Sequence, residues 1–195
     1  PSVLEALENA KKNLHIPVVY NCGGYETAET IGALSEYVDI WLPDLKYYSP
    51  ILSRRYSQAE DYFAVASRAV EQMIRLTGPP EFGEYKDKRS GTACSILRKG
   101  VIIRHMVLPG HKDDSIRLLY WMKDTLPKGG FLISLMSQYT PFYRSADYPE
   151  INRRITTYEY EKVLNTAIEL GLTDGFMQEK SSAKEEYTPP FELEG

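Results

Sequence analysis

Cysteine is nearly missing from this chain: Cys22 and Cys94 are the only two in 195 residues. Two thiols form no disulfide framework and cannot complete a zinc or iron–sulfur ligand set. Usage this sparse fits a reducing compartment, so a cytoplasmic location is expected. Long apolar runs are absent too: nothing approaches the length of a membrane span, and no signal-peptide pattern opens the chain. Charge of one sign is also lacking. A net charge of −4, evenly spread, argues against nucleic acid or an anionic membrane as partner. No pair among the three histidines has zincin spacing, there is no nucleophile elbow, and no internal repeat interrupts the chain. Pro1 is not an initiator methionine and a helical pattern begins at once, so a fragment or processed product is expected.

What is present suits one globular domain with a sizeable core: 43% hydrophobic and 26% charged residues. Ser2 caps a predicted helix to about Leu14, and Pro17 to Asn21 reads as a short buried strand running into Gly23-Gly24. A second helix follows to about Tyr37, then a strand from Val38 to Leu42. Ser57 to Thr77 has helical spacing through Tyr62, Val65, Ala66, Ala69, Met73 and Leu76, and stops at Gly78-Pro79-Pro80. Glu81 to Gly100 is charged and aperiodic and reads as an excursion or loop. Beyond it lie a strand from Val101 to Leu108, a helix to about Leu126, a strand from Phe131 to Met136 and a long loop to Glu150. A helix capped by Thr156 or Thr157 runs to Leu170, a short strand covers Asp174 to Gln178, and a polar tail follows from Glu179. Alternating strands and helices demand a mainly parallel α/β sheet of about five strands, either open and doubly wound or an arc of a barrel.

Four of these strands end in polar residues: Asn21, Asp44, Arg104 and Gln138. Period-two alternation puts Ile40, Leu42, Asp44 and Lys46 on one face, and Arg104 with Ile102 and Met106. Ser134, Met136 and Gln138 likewise share a face, opposite Phe131, Ile133 and Leu135. The wholly apolar face should meet the helices, leaving the mixed face for an interior with a polar mouth, where ligands of such sheets sit. A buried Arg104 needs acceptors, because an unpaired charge there costs several kcal/mol. Asp44 is a structural partner, and a ligand carboxylate the functional alternative. Gly23-Gly24 suits either a phosphate cradle or a tight turn. Lys46 reads as a rim charge or, if desolvated, a Schiff-base lysine. His105 reads as a satisfied core histidine, His111 as a loop residue and Cys22 as a small buried side chain rather than a nucleophile. Tyr139, Phe142, Tyr143 and Tyr148 either cover a ligand or anchor their loop.

Several blocks carry a family likeness. Val18-Val19-Tyr20-Asn21-Cys22-Gly23-Gly24-Tyr25-Glu26, Val38 through Tyr47 with its Asp44-Leu45-Lys46, Val101 through Gly110, and Ile133 through Tyr139 are similar, in this order, to radical S-adenosylmethionine proteins of the pyruvate formate-lyase activating enzyme type. The closing Gly171 through Gln178 fits the same pattern. The resemblance implies a partial parallel (β/α) barrel of which residues 1–178 hold the later strands only, with 179–195 as a C-terminal tail. It implies S-adenosylmethionine as cofactor, held by Asp44 and Lys46, with Arg104 near its amino-acid portion and Gln138 at the adenosine side. Asn21 falls near a monovalent-cation position of some members. The full-length parent would carry a four-iron iron–sulfur cluster, draw on an electron donor and generate an adenosyl radical for hydrogen abstraction, from a glycine of a glycyl-radical enzyme in the activating enzymes. The family's Cys-x3-Cys-x2-Cys and Gly-Gly-Glu-type motifs are not in this sequence, so no catalytic residue and no metal ligand is assigned, and the chain alone is expected to be inactive. Two other readings stand beside this one: a barrel lyase using Lys46 as covalent catalyst, and a binding module without chemistry.

Overall fold

Short apolar runs separated by amphipathic stretches fold as their alternation demands: runs become strands, and helices carry the chain back across one face of the sheet. The computed structural model describes residues 2–11, 13–86 and 91–177. In chain order these form α1 (Ser2–Lys11), β1 (Val19–Cys22), α2 (Ala28–Leu34), β2 (Ile40–Pro43), α3 (Pro50–Ser57), α4 (Tyr62–Thr77), β3 (Glu81–Lys86) and β4 (Ala93–Met106). Then come α5 (Lys112–Thr125), β5 (Leu132–Met136), a 3-10 turn (Tyr143–Asp147), α6 (Thr157–Glu169) and β6 (Gly175–Met177). Strands β1, β2, β4, β5 and β6 lie side by side in that order, all parallel, while β3 pairs antiparallel with the first half of β4. A doubly wound sheet reverses direction at a switch point. This one steps the same way at every crossover, as an arc of a (β/α) barrel does.

The two faces of the sheet differ as the alternation requires. Trp41, Val101, Ile103, His105, Ile133 and Leu135 are at most 1% exposed and meet the helices, with Met73 of α4 and Leu118, Leu119 and Met122 of α5 in the same core. Each such apolar side chain contributes about 1.5–3 kcal/mol by leaving water. On the other face Leu42, Asp44, Ile102, Arg104, Ser134 and Met136 are half-buried, and Met106 and Phe176 are exposed.

Several elements depart from the sequence reading. The helix expected from Ser57 starts later, and a separate helix precedes it: Ser49 caps α3 through Ile51 N, Pro50 fills its first turn, and Gln58 at φ 55° ends it. α4 then starts at Tyr62, and it buries Val70, Ile74 and Thr77 where Leu76 stays 45% exposed. The excursion from Glu81 is the β3–β4 hairpin. It has no apolar alternation because most of β3 faces solvent on both sides. α1 ends at Lys11 and α2 at Leu34, each a few residues short of expectation. The loop after β5 contains the 3-10 turn. Gln178, the tail from Glu179 and thus the expected boundary at 178 lie outside the described residues.

Candidate functional site

Asp44 is the first residue beyond β2, where the ladder to β4 shrinks to a single bridge with Arg104. Its N–H donates to Cys22 O at 3.0 Å, and Leu45 N–H donates to Arg104 O at 2.8 Å, so the chain here is wedged between the ends of β1 and β4. Arg104 reaches one oxygen of Asp44 with both Nε (2.8 Å) and Nη2 (2.7 Å). Lys46 Nζ stands 3.8 Å from the other oxygen, its side chain 47% exposed.

The following turn is held by β4 and α5. His105, 1% exposed, donates from Nδ1 to Leu45 O at 2.7 Å and accepts from Ser115 Oγ at Nε2, 2.8 Å away. Burial lowers its pKa, which keeps the ring in the neutral form this pairing uses. Asp114, in the first turn of α5, accepts from Tyr48 N and Ser49 N at 2.9 Å each. Gly24, at φ +80°, lets the β1 turn touch the Asp44 carbonyl, where any Cβ would overlap that oxygen.

A cavity of about 210 Å³ opens at these strand ends, lined by Asp44, Lys46, Tyr47, Arg104, Met106, Leu108, Met136 and Tyr139. It is smaller than the roughly 300–1,000 Å³ of whole-ligand pockets, so it suits one end of a ligand. Three of the five residues read from the sequence therefore meet: Asp44, Lys46 and Arg104. Asn21 is exposed on the same sheet face, opposite Leu42, and Gln138 is half-buried two residues past β5; neither lines this cavity. Larger clefts of about 400 Å³, between Phe82 and Gly175, and about 560 Å³, beside α3, lie elsewhere. In the second, the charged pair Arg54–Glu60 satisfies itself at 3.5 Å.

Cys22 is half-buried, and burial with the negative charge of Glu26 pushes its thiol up to about 12, far from a nucleophile. Cys94 is exposed on the hairpin, and among the described residues no group of three or more His, Cys, Asp or Glu side chains is placed to hold a metal ion. Two separated thiols do not fit a four-iron cluster.

A second polar cluster went unread in the sequence. Tyr56 donates to Glu150 Oε1 at 2.8 Å and lies 2.7 Å from His111 Nε2; one phenolic proton serves one acceptor, so His111 is the donor in the second contact. Arg55 closes on Glu150 at 2.7 Å. The cluster ties α3 to the loops after β4 and β5, and residues this far apart leave no spacing signal. Of the loop aromatics, Tyr139 reaches the cavity, Tyr148 packs edge-on against Tyr56, and Phe142 and Tyr143 are exposed.

No family model matches the chain. Over 168 residues it is 32% identical to an uncharacterized protein of Methanocaldococcus jannaschii, a match covering 85% of this chain and 41% of that relative. The chain thus spans less than half the length of the curated relative it matches. Among solved structures, a domain of pyruvate-formate lyase-activating enzyme from Bacteroides vulgatus superposes with a TM-score of 0.62 at 10% identity, covering 91% of this chain and 90% of that one. At that identity the likeness is one of fold, and the fold the two share is a partial parallel (β/α) barrel.

Proposed function

We propose that this chain supplies the later strands of a radical S-adenosylmethionine enzyme of the activating type, and that its cavity takes the amino-acid end of S-adenosylmethionine. The observation that carries this reading is the convergence of Asp44, Lys46 and Arg104 on one cavity at the carboxyl ends of parallel strands. An α-ammonium matches the Asp44 carboxylate, an α-carboxylate matches Arg104 and Lys46, and Met106, Met136 and Tyr139 give an apolar wall for the side chain between them. The donor set thus fits a zwitterion. Asn21, on the same sheet face, and Gln138, just past β5, are assigned to the remainder of the ligand.

S-adenosylmethionine, when bound in such enzymes, is the source of the carbon radical that removes a hydrogen atom. The contribution of this chain is to orient the zwitterion and to exclude water from it. The cysteines present do not fit the cluster that this chemistry requires, so those ligands belong to sequence outside the 195 residues, and the chain by itself binds without turning over. A glycyl-radical enzyme as substrate and a separate electron donor follow from the same reading. The Lys46 lyase is disfavoured: with its side chain 47% exposed, Lys46 lacks the desolvation that activates a Schiff-base lysine. Sequencing upstream of Pro1 tests the proposal. A Cys-x3-Cys-x2-Cys motif within about a hundred residues, an ordinary domain length, is expected; a natural initiator methionine at that point with no such motif overturns it.

A further inference from the structure

We infer that Tyr62 is the positioning residue of this site, its single hydroxyl setting the directions of Asp44 and Lys46; this rests on the reading of the cavity given above. Tyr62 is the first residue of α4 and 4% exposed. Its O–H donates to Asp44 O at 2.7 Å, with Gly23 O beside it at 3.0 Å, and its oxygen accepts from Lys46 N–H at 3.1 Å. One atom thus grips the carbonyl before Leu45 and the amide after it.

The grip falls where the sheet's own bonding gives out. β2 ends at Pro43, and past the lone bridge at Asp44 no ladder directs the backbone. Leu45 is fixed from the sheet side by Arg104 O and His105. The flanking Asp44 carbonyl and Lys46 amide point away from that side, toward α4, and Tyr62 meets both. Those two groups define ψ of Asp44 and φ of Lys46, and with them the direction in which each charged side chain leaves the backbone.

The hydroxyl is itself held in place. The Tyr62 ring is stacked on Tyr25 (centroids 5.9 Å apart, planes 5° apart) and met edge-on by Tyr47 at 5.5 Å. Tyr25 is tied through its own hydroxyl to Asp61, the residue before α4. A Cβ at Gly24 would overlap the Asp44 oxygen that Tyr62 bonds and would sit 3.4 Å from the hydroxyl itself. Gly24, Asp44 and Tyr62 therefore form one joint among β1, β2 and α4, and a core tyrosine present only for its bulk would not need its oxygen there.

Tyr62→Phe tests the inference, read in three ways on the full 195-residue chain. Solvent exchange of the Arg104 Nε–H, followed by NMR, reports whether Asp44 still holds Arg104. Calorimetry with S-adenosylmethionine reports affinity, and thermal unfolding reports the fold. In a folded Tyr62→Phe chain we expect faster Arg104 Nε–H exchange and an affinity lower by about tenfold, the worth of one net hydrogen bond. Replacing Tyr62 by 4-aminophenylalanine, which restores a polar group at that position, should recover both. A lower melting temperature with unchanged Arg104 exchange would make Tyr62 merely structural and overturn the inference. Should Tyr62→Phe fail to fold, hydrogen exchange at the Lys46 amide of the unsubstituted chain decides: protection is expected, and exchange as fast as in an exposed loop overturns it. Absence of binding by the unsubstituted chain would sink the ligand reading alone, since the Arg104 exchange still judges Tyr62.

Discussion

Arg104 brings Nε and Nη2 to the same carboxylate oxygen of Asp44, at 2.8 and 2.7 Å, from the strand next to it. The two side chains are 29% and 21% exposed, so the pair is neither a screened surface contact nor fully desolvated. Each partner removed alone should leave the other partly buried and unpaired. We expect Arg104→Met and Asp44→Asn each to cost about 1–2 kcal/mol in urea unfolding, between the values for exposed and buried pairs. The double variant should lose less than the sum of the two, and strict additivity would mean the pair contributes no coupling.

Gly23 and Gly24 offer a sharper contrast. Nothing lies within 4 Å of a Cβ at Gly23, whereas Gly24 combines φ +80° with a carbonyl in the way. Gly23→Ala should be tolerated within about 0.5 kcal/mol, as surface changes usually are. Gly24→Ala should cost roughly 2–4 kcal/mol through strain and displacement of Asp44. Equal effects in a denaturation experiment would show that the turn is not packed as described.

Stability should fall on mild acidification. Burial lowers the pKa of both His105 and His111 below the unfolded value of 6.5. The unfolded chain therefore binds more protons once the pH drops through about 6.5. Their contribution is complete above that value and is lost as the pH falls toward the folded values, at up to about 1.4 kcal/mol per pH unit for each histidine. Urea midpoints between pH 8 and 5.5 should decline accordingly. His105→Gln should lower stability throughout yet make the decline shallower; an unchanged slope would mean that His105 is not held neutral.

Much of this was legible from residue order. Alternation alone put Asp44 and Arg104 on the mixed face, because a strand with helices packed on one side only must segregate its two sides. The strand order, and hence the choice between an arc and a doubly wound sheet, was not legible, since parallel pairing leaves no local mark. The start at Ser49-Pro50 carries a helix signal, a serine cap ahead of a first-turn proline, that the reading of a single helix from Ser57 passes over. The β3–β4 hairpin was legible only as an excursion, because most of β3 is wet on both faces. In the sequence Tyr62 is one more member of an apolar stripe: periodicity reports which side of a helix is buried, not what a hydroxyl on that side touches.

The most direct test of the account is titration calorimetry of S-adenosylmethionine into this chain, with Asp44→Asn and Arg104→Met alongside and all three shown to be folded. The account predicts weak, saturable binding to the unsubstituted chain and a loss of about tenfold or more in each variant, as for charge-assisted contacts. Saturable binding of equal strength in all three, or none to the folded unsubstituted chain, would contradict it.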